Sequence, residues 1–161
     1  MQKIKIEIKW AVIFIIMTLT WMVLEKLAGF HSSHIDKHAI VTNLIAIPAV
    51  AIYLFALLEK RNRFYKGSMN YKQGFVCGLI LTVIITIFSP LTQFITSNVI
   101  TPEYFPNIIN YTVAQGEMSQ TEAENYFNLK NYIIQGLIGA FAMGILTSAI
   151  IAFFVKTKRS T

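Results

Sequence analysis

Charge is scarce in this chain: 14% of its 161 residues are Asp, Glu, Lys or Arg, against about 25% in an average soluble domain. Three runs, residues 39–58, 75–99 and 132–155, hold no charged residue at all. Cys77 is the only cysteine, so an internal disulfide is excluded and the redox compartment is unmarked. The sequence also lacks a P-loop, a nucleophile elbow, a His-Glu-x-x-His helix and a Cys-x-x-Cys pair. No enzyme class therefore has positive support, and no cofactor signature is present. Proline occurs four times, and two of these residues, Pro48 and Pro90, sit inside the apolar runs.

What the chain does have is hydrophobic length. Apolar residues make up 55% of it and its mean hydropathy is +0.55. A membrane-spanning helix needs about 20 residues at about 1.5 Å each, and each of the three runs meets that length. A fourth run, residues 10–27, is as apolar up to Leu24 and then carries Glu25 and Lys26. The expectation is an all-α bundle of four spans, 10–27, 39–58, 75–99 and 132–155. It forms one integral membrane domain over 1–161, with no room for a separate soluble domain. A cleaved signal peptide at the amino terminus is disfavoured, because Glu25 and Lys26 interrupt the approach to Ala28 and the apolar core is long for a signal.

The Lys and Arg residues predict the topology. Lys3, Lys5 and Lys9 precede the first span; Lys60, Arg61, Arg63, Lys66 and Lys72 follow the second; Lys156, Lys158 and Arg159 end the chain. Only Lys26, Lys37 and Lys130 fall on the opposite side, so the positive-inside rule places both termini in the cytoplasm. The net charge of +6 is thus sorted between the two ends of the spans rather than pooled on a nucleic-acid-binding face. The expected surroundings are a lipid bilayer and no nucleic acid.

Along the chain, residues 1–9 read as a helical extension whose lysines reach toward headgroups. Trp10 and Tyr53 read as interfacial anchors. Pro48 and Pro90 each remove a backbone hydrogen bond and predict a bend near the middle of spans two and three. In span four Gly136, Ala140, Gly144 and Ser148 recur every fourth residue, as do Gly74, Gly78, Thr82 and Thr86 in span three. Such strips let two backbones approach closely in lipid. They predict an antiparallel pairing of spans three and four, with a homodimer contact as the competing use. Gln93 and Gln135 lie at similar depth and are expected to meet, since polar side chains in hydrocarbon seek partners.

Between spans three and four, residues 101–106 predict an extended turn, and residues 107–115 a short amphipathic helix ended by Gly116. Ser119 and Glu122 form a capping-box pattern, predicting a helix that runs through Tyr126 and Phe127 into span four. Asn110-Tyr111-Thr112 matches a glycosylation acceptor, meaningful only in a eukaryotic secretory context.

The segment 30–38 contains all three histidines. His31, His34 and His38 offer imidazoles for zinc or a similar metal, with Asp36 and Glu25 near enough to contribute. The alternative is that Ser33 and Asp36 cap the second span and the histidines are solvated. Glu25 is the candidate functional acid, set one or two turns inside the interface where a carboxylate needs a partner; the alternative is that it reaches out to headgroups. Spans two to four hold no ionisable residue other than Cys77 and tyrosines, which argues against a charged proton relay.

The segments 21–31 (Trp-Met-Val-Leu-Glu-Lys-Leu-Ala-Gly-Phe-His), 67–75 (Gly-Ser-Met-Asn-Tyr-Lys-Gln-Gly-Phe, with Gly78 following), 102–105 (Pro-Glu-Tyr-Phe) and 123–127 (Ala-Glu-Asn-Tyr-Phe) carry a resemblance. Over nearly the whole chain the sequence resembles the bacterial integral membrane proteins grouped as domain of unknown function 4199. The resemblance implies a bacterial inner-membrane bundle of four helices and brings no activity, ligand or catalytic residue. Three roles follow as expectations. The preferred one is a small non-enzymatic accessory or assembly protein with a membrane-protein partner. The second is the protomer of a homo-oligomeric channel or transporter with a path along Pro48, Thr82, Thr86, Pro90, Gln93 and Gln135. The third is a metal-binding protein using His31, His34 and His38.

Overall fold

A computed structural model describes residues 4–157; Lys3, Lys158 and Arg159 of the charge pattern lie outside the described residues. Seven α-helices follow one another: α1 (Lys5–Leu27), α2 (His38–Asn43), α3 (Ala46–Glu59), α4 (Tyr71–Ile95), α5 (Tyr104–Ala114), α6 (Gln120–Tyr126) and α7 (Leu129–Val155). A 3-10 turn at Ile35–Lys37 leads into α2, and π-helical turns at Lys60–Phe64 and Thr96–Ile100 extend α3 and α4. Four stretches, Lys5–Leu27, Ile35–Phe64, Tyr71–Ile100 and Leu129–Val155, have mean hydropathy of 1.8 to 2.3 and are long enough to cross a membrane. The fold is all-helical, with the architecture of a multi-pass membrane protein.

Each helical stretch starts before the apolar run that marks it. Hydropathy stops at the first charge, but a helix satisfies its own backbone and continues until a turn residue or cap ends it. At the start of α4 that cap is Asn70: its side chain accepts from the Gln73 N–H at 2.9 Å, and the Gln73 side chain returns the bond to the Asn70 N–H.

The two prolines disturb their helices to different degrees. The second stretch is interrupted between α2 and α3, ahead of Pro48. Pro48 has no N–H for the Leu44 carbonyl, which accepts instead from Ile47 N–H at 3.1 Å, while Leu44 N–H turns back to Val41 at 3.0 Å. Pro90 leaves α4 continuous. The carbonyl it frees, that of Thr86, accepts from the Ser89 hydroxyl at 2.9 Å.

The tightest packing joins α4 to α7, antiparallel. A Cβ added to Gly78 would lie 2.6 Å from Ser148 Cβ, and one added to Gly74 would lie 3.2 Å from Ala152 Cβ. One added to Gly144 would lie 2.6 Å from Thr82 Oγ1. This half of the strip seals the bundle, and the core of Ala11, Tyr53, Ala56, Leu57, Leu81, Ile85, Ile151 and Ala152 gathers beside it. Nothing lies within 4 Å of a Cβ on Gly136 or Gly139, so the strip makes no comparable approach at that end, where Ala140 is half-buried. Tyr53 is no interfacial anchor. It is 4% exposed, and its hydroxyl meets Thr82 Oγ1 at 2.9 Å, because its helix face points at α4 and α7.

Both ends of the described chain lie at one end of the bundle. Lys9 pairs with Glu59, Trp10 Nε1 donates to Glu59 at 2.8 Å, and Thr157 N–H donates to the Met69 carbonyl at 2.8 Å. Nearby, Glu7 and Lys60 form a buried ion pair, Lys60 Nζ lying 2.8 Å from Glu7 Oε1. In the sequence Lys60 belongs to the basic segment after the second span and Glu7 to the helical extension before the first.

The opposite end is covered by α5 and α6. Residues 101–106 are not an extended turn: only Thr101, Pro102 and Glu103 precede α5, and Pro106 sits in its first turn, where a missing N–H costs nothing. Gly116, at φ +72°, ends the segment as expected. The Ser119–Glu122 capping box forms, but α6 stops at Tyr126 instead of running on. Asn128 starts α7 afresh by accepting from the Asn131 N–H at 3.0 Å, an N-cap role this side chain favours.

The Ser119 hydroxyl and N–H both donate to Glu122 and hold its carboxyl below the usual carboxylate range. A depressed carboxyl contributes its cap above its ordinary pKa and loses it as pH falls through the lowered one. In hydrogen exchange, the amides of 120–126 should therefore lose protection on acidification. In Ser119→Ala they should already exchange faster at neutral pH.

Candidate functional site

At the capped end, the helices form an open cavity of about 810 Å³. Residues three and four apart share a helix face, and each element contributes one such face. Tyr104, Ile108, Tyr111 and Thr112 come from α5; His38, Ala39, Thr42 and Asn43 come from α2. Gln93, Thr96 and Ser97 come from the end of α4, and Tyr132 and Gln135 from the start of α7. Asp36, Glu117, Tyr126 and Phe127 complete the rim. None of the lining residues is Lys or Arg.

In its wall stands a buried Glu–His–His cluster. Glu25 Oε2 lies 3.1 Å from His31 Nε2 and 3.5 Å from His38 Nε2. Side-chain exposures of 2%, 4% and 16% show how far the three are removed from water. Trp21, one turn earlier on α1, donates its indole N–H to the other carboxylate oxygen at 2.5 Å, so both oxygens of Glu25 are engaged. His38 Nδ1 meets the Tyr104 hydroxyl at 3.3 Å, which in turn meets Tyr132 at 3.2 Å. Asn107 Nδ2 donates to the His31 carbonyl at 2.9 Å and ties α5 to the loop. His31 Nδ1 is buried without a hydrogen-bond partner among the described residues. Burial pushes the Tyr104 phenol well above its usual range, so it acts as a neutral hydrogen-bonding group.

The cluster corrects the expected histidine triad. His31 and His38 converge on Glu25, whereas His34 is exposed, its Nδ1 at 3.1 Å from Ser33 Oγ and its ring against Phe30. The reason is backbone geometry. Gly29, at φ +81°, reverses the chain after α1, and the loop swings His31 inward while His34 faces water. Ser33 caps nothing, since no side-chain cap starts the 3-10 turn or α2. Glu25 does not reach out to headgroups; its partners are within the protein.

Gln93 and Gln135 do not bond to each other. Gln93 donates to Ser97 of its own helix at 2.9 Å, and both glutamines line the same cavity. Thr82, expected along a conducting path, is fully buried against Tyr53 and Ser148.

Trp21, Tyr104, Asn107 and Tyr132 were not singled out by sequence. The i, i+4 spacing of Trp21 and Glu25 was a readable signal; the other three depend on how the cap folds over the bundle.

No curated protein and no solved structure matches this chain. A family model described as protein of unknown function (DUF4199) matches residues 9–157. That match takes in the last three membrane-crossing stretches whole, all but the first four residues of the first one, the cap and every residue of the buried cluster, and the chain belongs to the DUF4199 family.

Proposed function

We propose that this chain is a non-enzymatic bacterial inner-membrane protein that captures an uncharged, multiply hydrogen-bonding solute in the cavity at its capped end. The termini are cytoplasmic in this reading and the cavity opens on the opposite side, since eleven of the 14 Lys and Arg lie toward the terminal end. The bacterial setting follows from the family resemblance.

The observation that carries the reading is the lining. Amide and hydroxyl groups of Asn43, Gln93, Thr96, Ser97 and Gln135 converge with the rings of Tyr111, Tyr126 and Tyr132 on one cavity. Its volume of about 810 Å³ falls in the range of small-molecule sites. Without a Lys or Arg, and with Asp36 and Glu117 at its rim, it is repulsive to anions. The sealed lower half, where Gly78 and Gly144 bring α4 onto α7, supports capture over a pore through one chain.

The test is thermal unfolding of the protein in nanodiscs against neutral polyols, primary amines and dicarboxylates. A neutral polyol at about 100 times its Kd adds about 2.7 kcal/mol of stability, and Gln135→Leu should abolish that shift. Stabilisation by dicarboxylates or amines alone, or by none of the panel, would overturn the reading.

A further inference from the structure

We propose that Glu25, His31 and His38 bind one divalent first-row transition metal ion in the cavity wall, with an exchangeable coordination position turned toward the cavity. The site is independent of which solute, if any, the cavity takes.

Charge is the first argument. Glu25 is 2% exposed, and a carboxylate withdrawn this far from water needs a compensating positive charge. Among the described residues neither ammonium nor guanidinium pairs with it; only the two imidazoles do. Lys26, its chain neighbour, is exposed. The charge must come from a protonated imidazole or from a cation held by neutral ones.

Geometry favours the cation. Three ligand atoms, one from each residue, lie within 4.8 Å of one another. Metal–nitrogen and metal–oxygen bonds of about 2.0–2.1 Å in a tetrahedron put neighbouring donors about 3.3 Å apart. The Glu25–His31 and Glu25–His38 separations of 3.1 and 3.5 Å bracket that edge. The His31–His38 edge is within 4.8 Å, so an ion entering between the three atoms would draw the two imidazoles together.

The groups around Glu25 and His38 are those that orient metal ligands, while His31 Nδ1 has no hydrogen-bond partner among the described residues. Trp21 holds the distal carboxylate oxygen, leaving Oε2 for the ion, and the Tyr104 hydroxyl sits on His38 Nδ1, leaving Nε2. Two imidazoles and a carboxylate suit zinc and its first-row neighbours and leave a position for water or a ligand. Here it faces the cavity, because His31 and His38 line that space while Glu25 stands behind them.

The test uses the full chain, purified with an affinity tag free of histidine, stripped by chelator and loaded with Zn²⁺ or Co²⁺ in the absence of any solute. Bound metal is counted by mass spectrometry and its coordination read from the visible d–d bands of Co²⁺. The wild type and His34→Asn should each hold about one ion with a four-coordinate Co²⁺ spectrum. Trp21→Phe should weaken binding roughly 10–100-fold. His31→Asn and Glu25→Gln should exceed that loss. His38→Asn, at the most exposed of the three positions, serves as ligand variant if the buried ones fail to fold. A wild type that takes up no metal, metal retained by His38→Asn, or uptake lost in His34→Asn would each overturn the site. Because polyol binding is not read, failure here leaves the solute reading standing, and the reverse holds equally.

Discussion

Replacing Lys60 with methionine should lower the unfolding free energy by about 3–5 kcal/mol, the usual cost of breaking a buried ion pair from one side. Lys60 and Glu7 are 4% and 1% exposed in their side chains, and Lys60 Nζ also donates to Glu7 Oε2 at 3.1 Å. Once the ammonium is gone, the Glu7 carboxylate must either stay charged among apolar neighbours or take up a proton. The double variant Glu7→Met/Lys60→Met should recover most of the loss, because removing both charges leaves none stranded. Reversible unfolding in mixed micelles measures both. Equal destabilisation of the single and double variants would show that the pair contributes through packing, not charge.

The second large effect is steric. Gly78→Val should cost about 3 kcal/mol, at the upper end of overpacking penalties. A Cβ at that position meets not only Ser148 Oγ at 2.5 Å but Ser148 Cα at 3.2 Å. Backbone has no rotamer to yield, so α4 and α7 must separate along the closest contact in the bundle. Gly139→Ala is the control. With nothing near its Cβ, it should change stability by less than about 1 kcal/mol, in the stabilising direction expected from helix propensity. The same micelle titration resolves the two, and a Gly78→Val protein as stable as wild type would mean that the helices part without penalty.

That contrast separates the two halves of one motif. The four-residue repeat of small residues in α7 is uniform along the sequence, yet only Gly144, Ser148 and Ala152 pack tightly against α4. At Gly136 and Gly139 no atom lies within 4 Å of an added Cβ. Gln93 and Gln135, expected to meet, likewise both line the cavity, and Gln93 bonds within its own helix. Spacing along one helix reports a face; which neighbour occupies that face is a property of the whole assembly.

The histidine loop shows the same limit at higher resolution. Residue types and proximity singled out Glu25, His31 and His38, and they equally singled out His34. Only the path of the loop after the left-handed turn at Gly29, which buries His31 and leaves Ser32, Ser33 and His34 exposed, discriminates among them. Glu7 and Lys60 were hidden for a different reason. Hydropathy places each at the end of an apolar run, where a charged side chain ordinarily reaches water, and their burial depends on the α3 end closing over α1.

By itself the sequence determined the number of membrane-crossing stretches and the helical class, because a bilayer demands about 20 apolar residues and intrahelical backbone bonding from any crossing segment. Local chemistry determined the capping box at Ser119 and the turn at Gly116 as well, since both are satisfied by residues a few positions apart. Only tertiary structure decided that one glutamate and two of three histidines share a point in the cavity wall. It also decided that Tyr53 joins the core and that Glu7 finds Lys60. These contacts join residues 6 to 53 positions apart, and their geometry is set by the crossing of α1 with α3 and α4 and the seating of the cap, which no short segment encodes.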